Sequence, residues 1–410
     1  MTKYLFVPSN LELKGMLPTI RHKHIDKYHY VVHKLSEERI LNRLNDTRNG
    51  YVSLSSAVMR DVLTVQQYMP IMSFLLDNGI IERDGIYSNG GTYHSFAAKC
   101  YWYRLTPTYR QVEARQMMII DTNFERKLVR KSREAVEKAV KETPHLQFIN
   151  FNLNDLQIDS VGALTMIREM LNNDLDYTVE MYNNDTLVIH KIQNREFYMV
   201  RDTSGNRVHN NLTSLPKRLR RFLYINSGET LVNLDIRNSQ PLLLSIVLRE
   251  YYPCTLPPDV AKYINLCENG QFYEHMMDLM DIPACPMHRD KIRKSFKEDC
   301  FAHIFYCKNN PKYTYKEAKI FKRAFPHCYQ VIIQEKKVNY KNLSIKMQQA
   351  ESNIIIDRVV RHLADLRNIF ALPIHDSLVV TESNADYVKQ IMLKEFANYG
   401  VNPTINIEQL

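Results

Sequence analysis

Between residues 35 and 105 the spacing of apolar positions changes from helical to alternating. Leu35–Asn45 carries helical spacing, a polar turn at Asn49-Gly50 follows, and a second helix is predicted around Ser53–Asp61. Thr64-Val65-Gln66-Gln67 has the form of a capping box and opens a third helix to about Leu76, which Asp77-Asn78-Gly79 ends. Ile80-Ile81-Glu82, the turn Arg83-Asp84-Gly85, a loop at Asn89-Gly90-Gly91 and a strand from Lys99 to Leu105 complete the unit. Three helices followed by a β-wing predict a winged helix-turn-helix within residues 1–115. Such a unit can dock its Thr64–Leu76 helix or its wing on duplex DNA or a protein partner. It can equally be a rigid adaptor, since Met69, Ile71, Met72, Phe74 and Leu75 are core-like.

Downstream, Asn123–Lys141 reads as a basic helix carrying Arg126, Lys127, Arg130, Lys131, Arg133, Lys138 and Lys141. From charge alone this is either a nucleic-acid grip or a solvated face. Asn152–Leu171 is predicted helical, and the alternation over Tyr177–His190 predicts a hairpin around Asn183-Asn184-Asp185. Two apolar runs then reach an aspartate at strand positions: Leu231-Val232-Asn233-Leu234-Asp235, and Leu372-Pro373-Ile374-His375-Asp376 continuing into Ser377-Leu378-Val379-Val380. Between them Arg293, Lys297, Phe301 and Phe305 recur every four residues, one stripe of a helix with two cations above two rings. No internal repeat or low-complexity tract is present.

Composition narrows the chemistry. A chain of 410 residues, 45% hydrophobic, can bury two or three cores. It has no apolar run of ~18 residues, and its N-terminal segment is too short for a signal peptide, so a membrane is not expected as a partner. Seven scattered cysteines point to a reducing cytoplasm. The net charge is +9, and residues 289–346 hold 15 Lys/Arg against 5 Asp/Glu, which suits a polyanion. Interleaved Tyr306, Tyr313, Tyr315, Phe321, Phe325 and Tyr329 suit stacking on bases or sugars. Cys285-x2-His288 with Cys300-x2-His303 could be written as a zinc site, but the pairs lack knuckle glycines, and buried thiols with structural histidines are the preferred reading. Two aspartates with a cationic helix between them are the parts of two-metal phosphoryl transfer. Mg²⁺ prefers hard oxygen ligands, and a metal pair ~3.5–4 Å apart activates a hydroxyl and stabilises a leaving pyrophosphate.

The order Asp235, Arg293/Lys297/Phe301/Phe305, His375-Asp376 is similar to motifs A, B and C of family A DNA polymerases and of single-subunit phage-type RNA polymerases. Ser204-Gly205-Asn206-Arg207 with Asn211–Pro216 resembles the segment those enzymes carry before motif A, and Gln348 with Asn353-Ile354-Ile355 resembles the helix before motif C. The resemblance covers roughly residues 195–400. It implies an α+β right hand with a palm at 196–245 and 340–410, fingers at 246–339 and a thumb-like region at 116–195. It further implies that Asp235 and Asp376, with the Ile236 carbonyl, hold two Mg²⁺ (Mn²⁺ as a substitute). Arg293 and Lys297 would bind the triphosphate, with Lys297 also protonating pyrophosphate. Phe301 and Phe305 would line the nascent base pair, Gln240 would stand at the sugar gate, and Arg207, Gln348 and His375 would contact nucleic acid.

Four residues depart from the DNA enzymes: Gln240 replaces the gate Glu, Ser377 follows the motif C aspartate, Phe305 replaces the motif B Tyr, and Tyr306 stands in place of the glycine after it. Phe305 has no hydroxyl to favour ribose and Gln240 is bulky, so deoxynucleotides and a DNA primer-template are the expected substrates. No clustered acidic pattern before residue 195 suggests a proofreading exonuclease, and ~190 residues leave little room for one. The expectation is a non-proofreading DNA polymerase of a phage, plasmid or mobile element, acting in the cytoplasm of a bacterium or phage-infected host. The competing readings are a single-subunit RNA polymerase or primase, and a non-catalytic DNA-binding initiator or regulator.

Overall fold

The computed structural model describes residues 3–16, 24–41, 50–84, 101–282, 289–309, 314–366 and 368–410. The fold is α+β. The chain divides into two compact units, one of Met1–Lys138, Gln157–Tyr198 and Ser214–Leu223, the other of Ala139–Leu156, Met199–Thr213 and Tyr224–Leu410. No described helix is long and apolar enough to cross a membrane.

In the first unit the strand Tyr4–Pro8 pairs antiparallel with Ala114–Met118. The helix Ile25–Leu41 contributes Val31, Val32 and Leu35 to the same core as Leu5 and Val7. Helices Ser56–Leu63 and Val65–Asp77 are followed by a small sheet in which Trp102–Leu105 lies between Val52–Ser53 and Ile81–Arg83. The capping box expected at Thr64 does not form. Thr64 is at once the C-cap of one helix and the N-cap of the next, with φ 80°, and its side chain makes no cap hydrogen bond. The side-chain cap belongs instead to Ser55, which accepts from the Val58 amide. Gly79 (φ +63°) ends the third helix as its sequence implied, its amide donating to the Leu76 carbonyl. Asn49, the turn residue Gly85, Asn89-Gly90-Gly91, Lys99 and Cys100 lie outside the described residues.

The basic helix spans Thr122–Glu142, close to expectation. Two other expectations fail for local reasons. Asn152–Leu171 is not one helix: Leu146–Asp155 ends, Leu156–Ile158 is extended, and Ser160–Asn173 begins anew. The break is a cap, because the Asp159 side chain accepts from the Gly162 amide at 3.0 Å. Tyr177–His190 is not a hairpin; Val179–Gln193 is a helix capped by Thr178, whose hydroxyl accepts from the Met181 amide. The residues that read as a turn make tertiary hydrogen bonds instead. Asn183 donates to the Val112 carbonyl and accepts from the Ala114 amide, both at 2.8 Å. Buried Asp185 accepts from the Tyr177 hydroxyl at 2.6 Å and from Arg218.

The second unit is built on a four-stranded antiparallel sheet in the order Ala371–Ile374, Ser377–Thr381, Leu231–Ile236, Ile405–Gln409. The helix Leu146–Asp155 is tied to its edge by Asn152, which donates to the Ala371 carbonyl at 3.1 Å. Helices Ser239–Tyr251 and Asn342–Ser352 pack together. Farther along, Tyr263, Phe272, Tyr273, Phe305, Phe321 and Phe325 form a buried cluster of mostly edge-to-face and tilted rings.

Candidate active site on the four-stranded sheet

The sheet register brings the two aspartates together from 141 positions apart in sequence. Asp235 pairs with Ser377 on one side and with Asn406 on the other, so it occupies an inner strand. Ile374 pairs with Ser377, which leaves His375-Asp376 as a two-residue hairpin loop with His375 at φ 55°. Asp376 is therefore the chain neighbour of the residue opposite Asp235, on strands ~4.8 Å apart. Ser377 is buried and its hydroxyl donates to the Ile374 carbonyl at 3.1 Å, closing the loop. Asn210, fully buried, donates to the Pro373 carbonyl at 3.0 Å and holds the hairpin from behind.

Beside this hairpin lies a part-buried polar chain. Arg207 makes a two-pronged ion pair with Glu351, Nε to Oε1 and Nη2 to Oε2, both at 2.7 Å. Gln240 Nε2 donates to Glu351 Oε2 at 3.3 Å, and the Tyr306 hydroxyl donates to Gln240 Oε1 at 2.7 Å. Burial pushes the Glu351 carboxyl up to about 7 against the pull of Arg207, and the charge of Asp376 adds to the push. Burial likewise raises the Tyr306 phenol to about 12, with Glu351 and Asp376 adding to it against Arg207.

The helix Arg289–Cys300 presents Arg293, whose Nε donates to Glu274 at 2.7 Å and whose Nη2 reaches Asn238 Oδ1 at 3.4 Å. Asn238 (φ 55°) leads from the Asp235 strand into the next helix, so Arg293 is tied to the segment that follows the aspartate. Lys297 is exposed, its Nζ 5.7 Å from the Phe301 ring centre. The four-residue stripe then breaks. Phe301–Phe305 is a π turn, with the Tyr306 amide donating to the Phe301 carbonyl five residues back. The extra residue per turn rotates Phe305 into the aromatic cluster, where it is 0% exposed against Phe272 and Phe321, and leaves Tyr306 stacked on Phe301 at 5.8 Å. Phe305, expected to line the nucleotide, is instead packed inside the aromatic cluster, and Tyr306 is the ring that lies against Phe301.

Arg207 was expected at nucleic acid; here its guanidinium is engaged by Glu351 and its side chain is 16% exposed. Gln348 is half-buried and packs against Gly205, where an added Cβ would come within 2.7 Å of its Oε1. His375 meets His209 edge-to-face at 5.7 Å. Ile236 is buried and pairs with Ile405. Of the zinc spacing, Cys285 and His288 lie outside the described residues. Cys300 is buried with its thiol pushed up by desolvation, and His303 binds Glu317 at 2.9 Å while stacking on Tyr315. Among the described residues no group of three or more His, Cys, Asp or Glu is placed to hold a metal. Mg²⁺ asks less of the protein, since it draws much of its shell from water and phosphate. Two hard carboxylates, one on an inner strand and one in the hairpin loop beside it, fit it, and the repulsion between Asp376 and Glu351 is a local excess of negative charge that a cation would relieve. Glu351 is the site residue that the sequence did not single out, and Tyr306 stood out there only as a stacking ring and as the residue in place of the motif B glycine.

No protein-family profile matches the chain, and no curated protein matches it. Among solved structures it is similar to the POL domain of Pol1 from M. smegmatis in complex with DNA primer-template and dNTP. That similarity has a TM-score of 0.41 and 12% identity, and covers 60% of this chain. The chain spans 55% of that structure's length.

Proposed function

We propose that the chain is a template-directed nucleotidyltransferase, a DNA polymerase without proofreading that extends a primer with deoxynucleoside triphosphates. The observation that carries this reading is the sheet register, which sets Asp235 opposite Ser377 and so beside Asp376, in the same compact unit as the Arg293/Lys297 helix. In this reading residues 196–245 and 340–410 serve as palm, 246–339 as fingers, 116–195 as thumb, and 1–115 as a winged helix that meets duplex DNA or a protein partner. Asp235 and Asp376, with the Ile236 carbonyl, would hold two Mg²⁺. When bound, these ions would activate the primer 3′-hydroxyl and neutralise charge on the departing pyrophosphate. Lys297, which is exposed, would bind the triphosphate and donate a proton to the pyrophosphate. Arg293, braced by Glu274, supplies a second fixed cation. Tyr306 and Phe301 offer the flat face for the incoming base pair.

Ser377, the residue that the RNA polymerases also carry after their motif C aspartate, closes the hairpin through its hydroxyl and by itself does not decide the sugar. The test is extension of a labelled primer with dNTPs or rNTPs, with and without template and with Mg²⁺ or Mn²⁺. Template-dependent dNTP addition supports the proposal. Preference for rNTPs would transfer it to the RNA polymerase or primase class, and no addition of either would leave the DNA-binding initiator.

A further inference from the structure

Gln240 has an amide whose two ends are nearly identical in shape but opposite in hydrogen-bonding sense. What decides its orientation here is Glu351. In its ionised form that group, 2% exposed, accepts from Arg207 through both oxygens and can take from Gln240 only a donor. With Nε2 held at Glu351, Gln240 must turn Oε1 to Tyr306, whose hydroxyl then donates to it at 2.7 Å. The chain Arg207–Glu351–Gln240–Tyr306 thus has one direction, set at its buried charged end.

We infer that Glu351 is a positioning residue that fixes the orientation of Gln240 and the Tyr306 hydroxyl, and thereby the site's preference for a sugar lacking a 2′-hydroxyl. The inference rests on the nucleotidyl-transfer reading and deepens it to a substrate class. With the amide clamped at both ends, the Gln240 side chain cannot swing away from a 2′-hydroxyl, and the Tyr306 proton is already committed. Glu351→Gln removes the directing charge. The Gln240 amide can then invert or withdraw, and an incoming ribose finds both space and an uncommitted hydroxyl.

The decisive experiment exchanges the two groups. Glu351→Gln alone lowers the dNTP/rNTP ratio of kcat/KM by about tenfold or more, the scale of one lost discriminating contact. The double variant Glu351→Gln with Gln240→Glu places a carboxylate beside Tyr306 and an amide beside Arg207, keeps the total charge, and restores the ratio. In a Gln240→Ala background, Glu351→Gln changes the ratio no further. A readout independent of turnover is the ¹³Cζ resonance of Tyr306, assigned as the tyrosine signal absent from Tyr306→Phe. It shifts in Glu351→Gln and returns in the exchanged pair. An unmoved resonance, or an additive effect of Glu351→Gln on Gln240→Ala, overturns the inference. A protein that adds no nucleotide at all but shows the resonance shift refutes the nucleotidyl-transfer reading and leaves the directed hydrogen-bond chain standing.

Discussion

Asn210→Ala attacks the support of the hairpin that carries Asp376 without touching either aspartate. The Asn210 side chain is fully buried; its Nδ2 donates to the Pro373 carbonyl at 3.0 Å and its Oδ1 accepts from the Leu212 amide at 2.8 Å. Alanine leaves a buried carbonyl and a buried amide unsatisfied, each costing ~1–3 kcal/mol, so the variant should lose ~2–6 kcal/mol. Against a typical total of ~5–15 kcal/mol this is large. Asn210→Asp keeps the acceptor for Leu212 but turns a second oxygen on the Pro373 carbonyl, and should fare no better. Urea unfolding followed by circular dichroism gives the stability. Primer extension, at a temperature where both proteins remain folded, gives the consequence for Asp376, since Pro373 lies three residues before it. Misplacing a reacting group by an ångström costs on the order of a hundredfold, so a loss of about tenfold to a hundredfold in rate is expected. A change in stability below ~0.5 kcal/mol refutes the hydrogen-bond reasoning. Full destabilisation with an unchanged rate refutes the link from Asn210 to the aspartate.

Acid should weaken the first unit. Burial holds His33 down to about 3 and His29 to about 4, against an unfolded value of 6.5. Below pH ~6.5 the unfolded chain binds protons that the folded one refuses, so stability is present above that pH and is lost as pH falls towards 3. The urea midpoint should drop between pH 7 and 4, and His33→Gln, which keeps an acceptor for the Phe6 amide, should flatten that slope; an equal slope in the variant would remove His33 from the account. Gly270→Ala should destabilise by ~1–2 kcal/mol, because Gly270 sits at φ +68° and its new Cβ would lie 2.4 Å from Arg237 Cδ; an unchanged thermal midpoint would contradict this. Tyr306→Phe should lower dNTP/rNTP discrimination, whereas Phe305→Tyr should damage the aromatic core and reduce the thermal midpoint without altering that ratio.

Sequence made the sheet legible because apolar runs around Asp235 and Asp376 leave few alternatives, and the helix Thr122–Glu142 because its charges recur at helical spacing. It misled where one signal served another purpose. Asn183 and Asp185 read as a turn, yet Asn183 binds the backbone at Val112 and Ala114 and Asp185 pairs with Arg218. The π turn could not be read, since a four-residue stripe looks the same until the backbone shifts the hydrogen bond to five residues back. Glu351 escaped notice for a different reason: its meaning comes from Arg207, 144 residues earlier, and a lone acid in a polar helix segment carries no such signal. Its half-hidden clue was position, three residues after Gln348 and just before Asn353-Ile354-Ile355.

The central claim is that Asp235 and Asp376 form one metal-binding pair that drives nucleotidyl transfer. The most direct measurement is single-nucleotide addition to a primer-template by Asp235→Asn and Asp376→Asn, with Mg²⁺ and with a chelator. Each substitution removes a charged ligand while keeping size, so activity should fall to below about one per cent in both variants. Urea midpoint and primer-template affinity should stay close to those of the unmodified protein. Folded Asp235→Asn or Asp376→Asn protein that retains more than a few per cent of the rate would contradict the account.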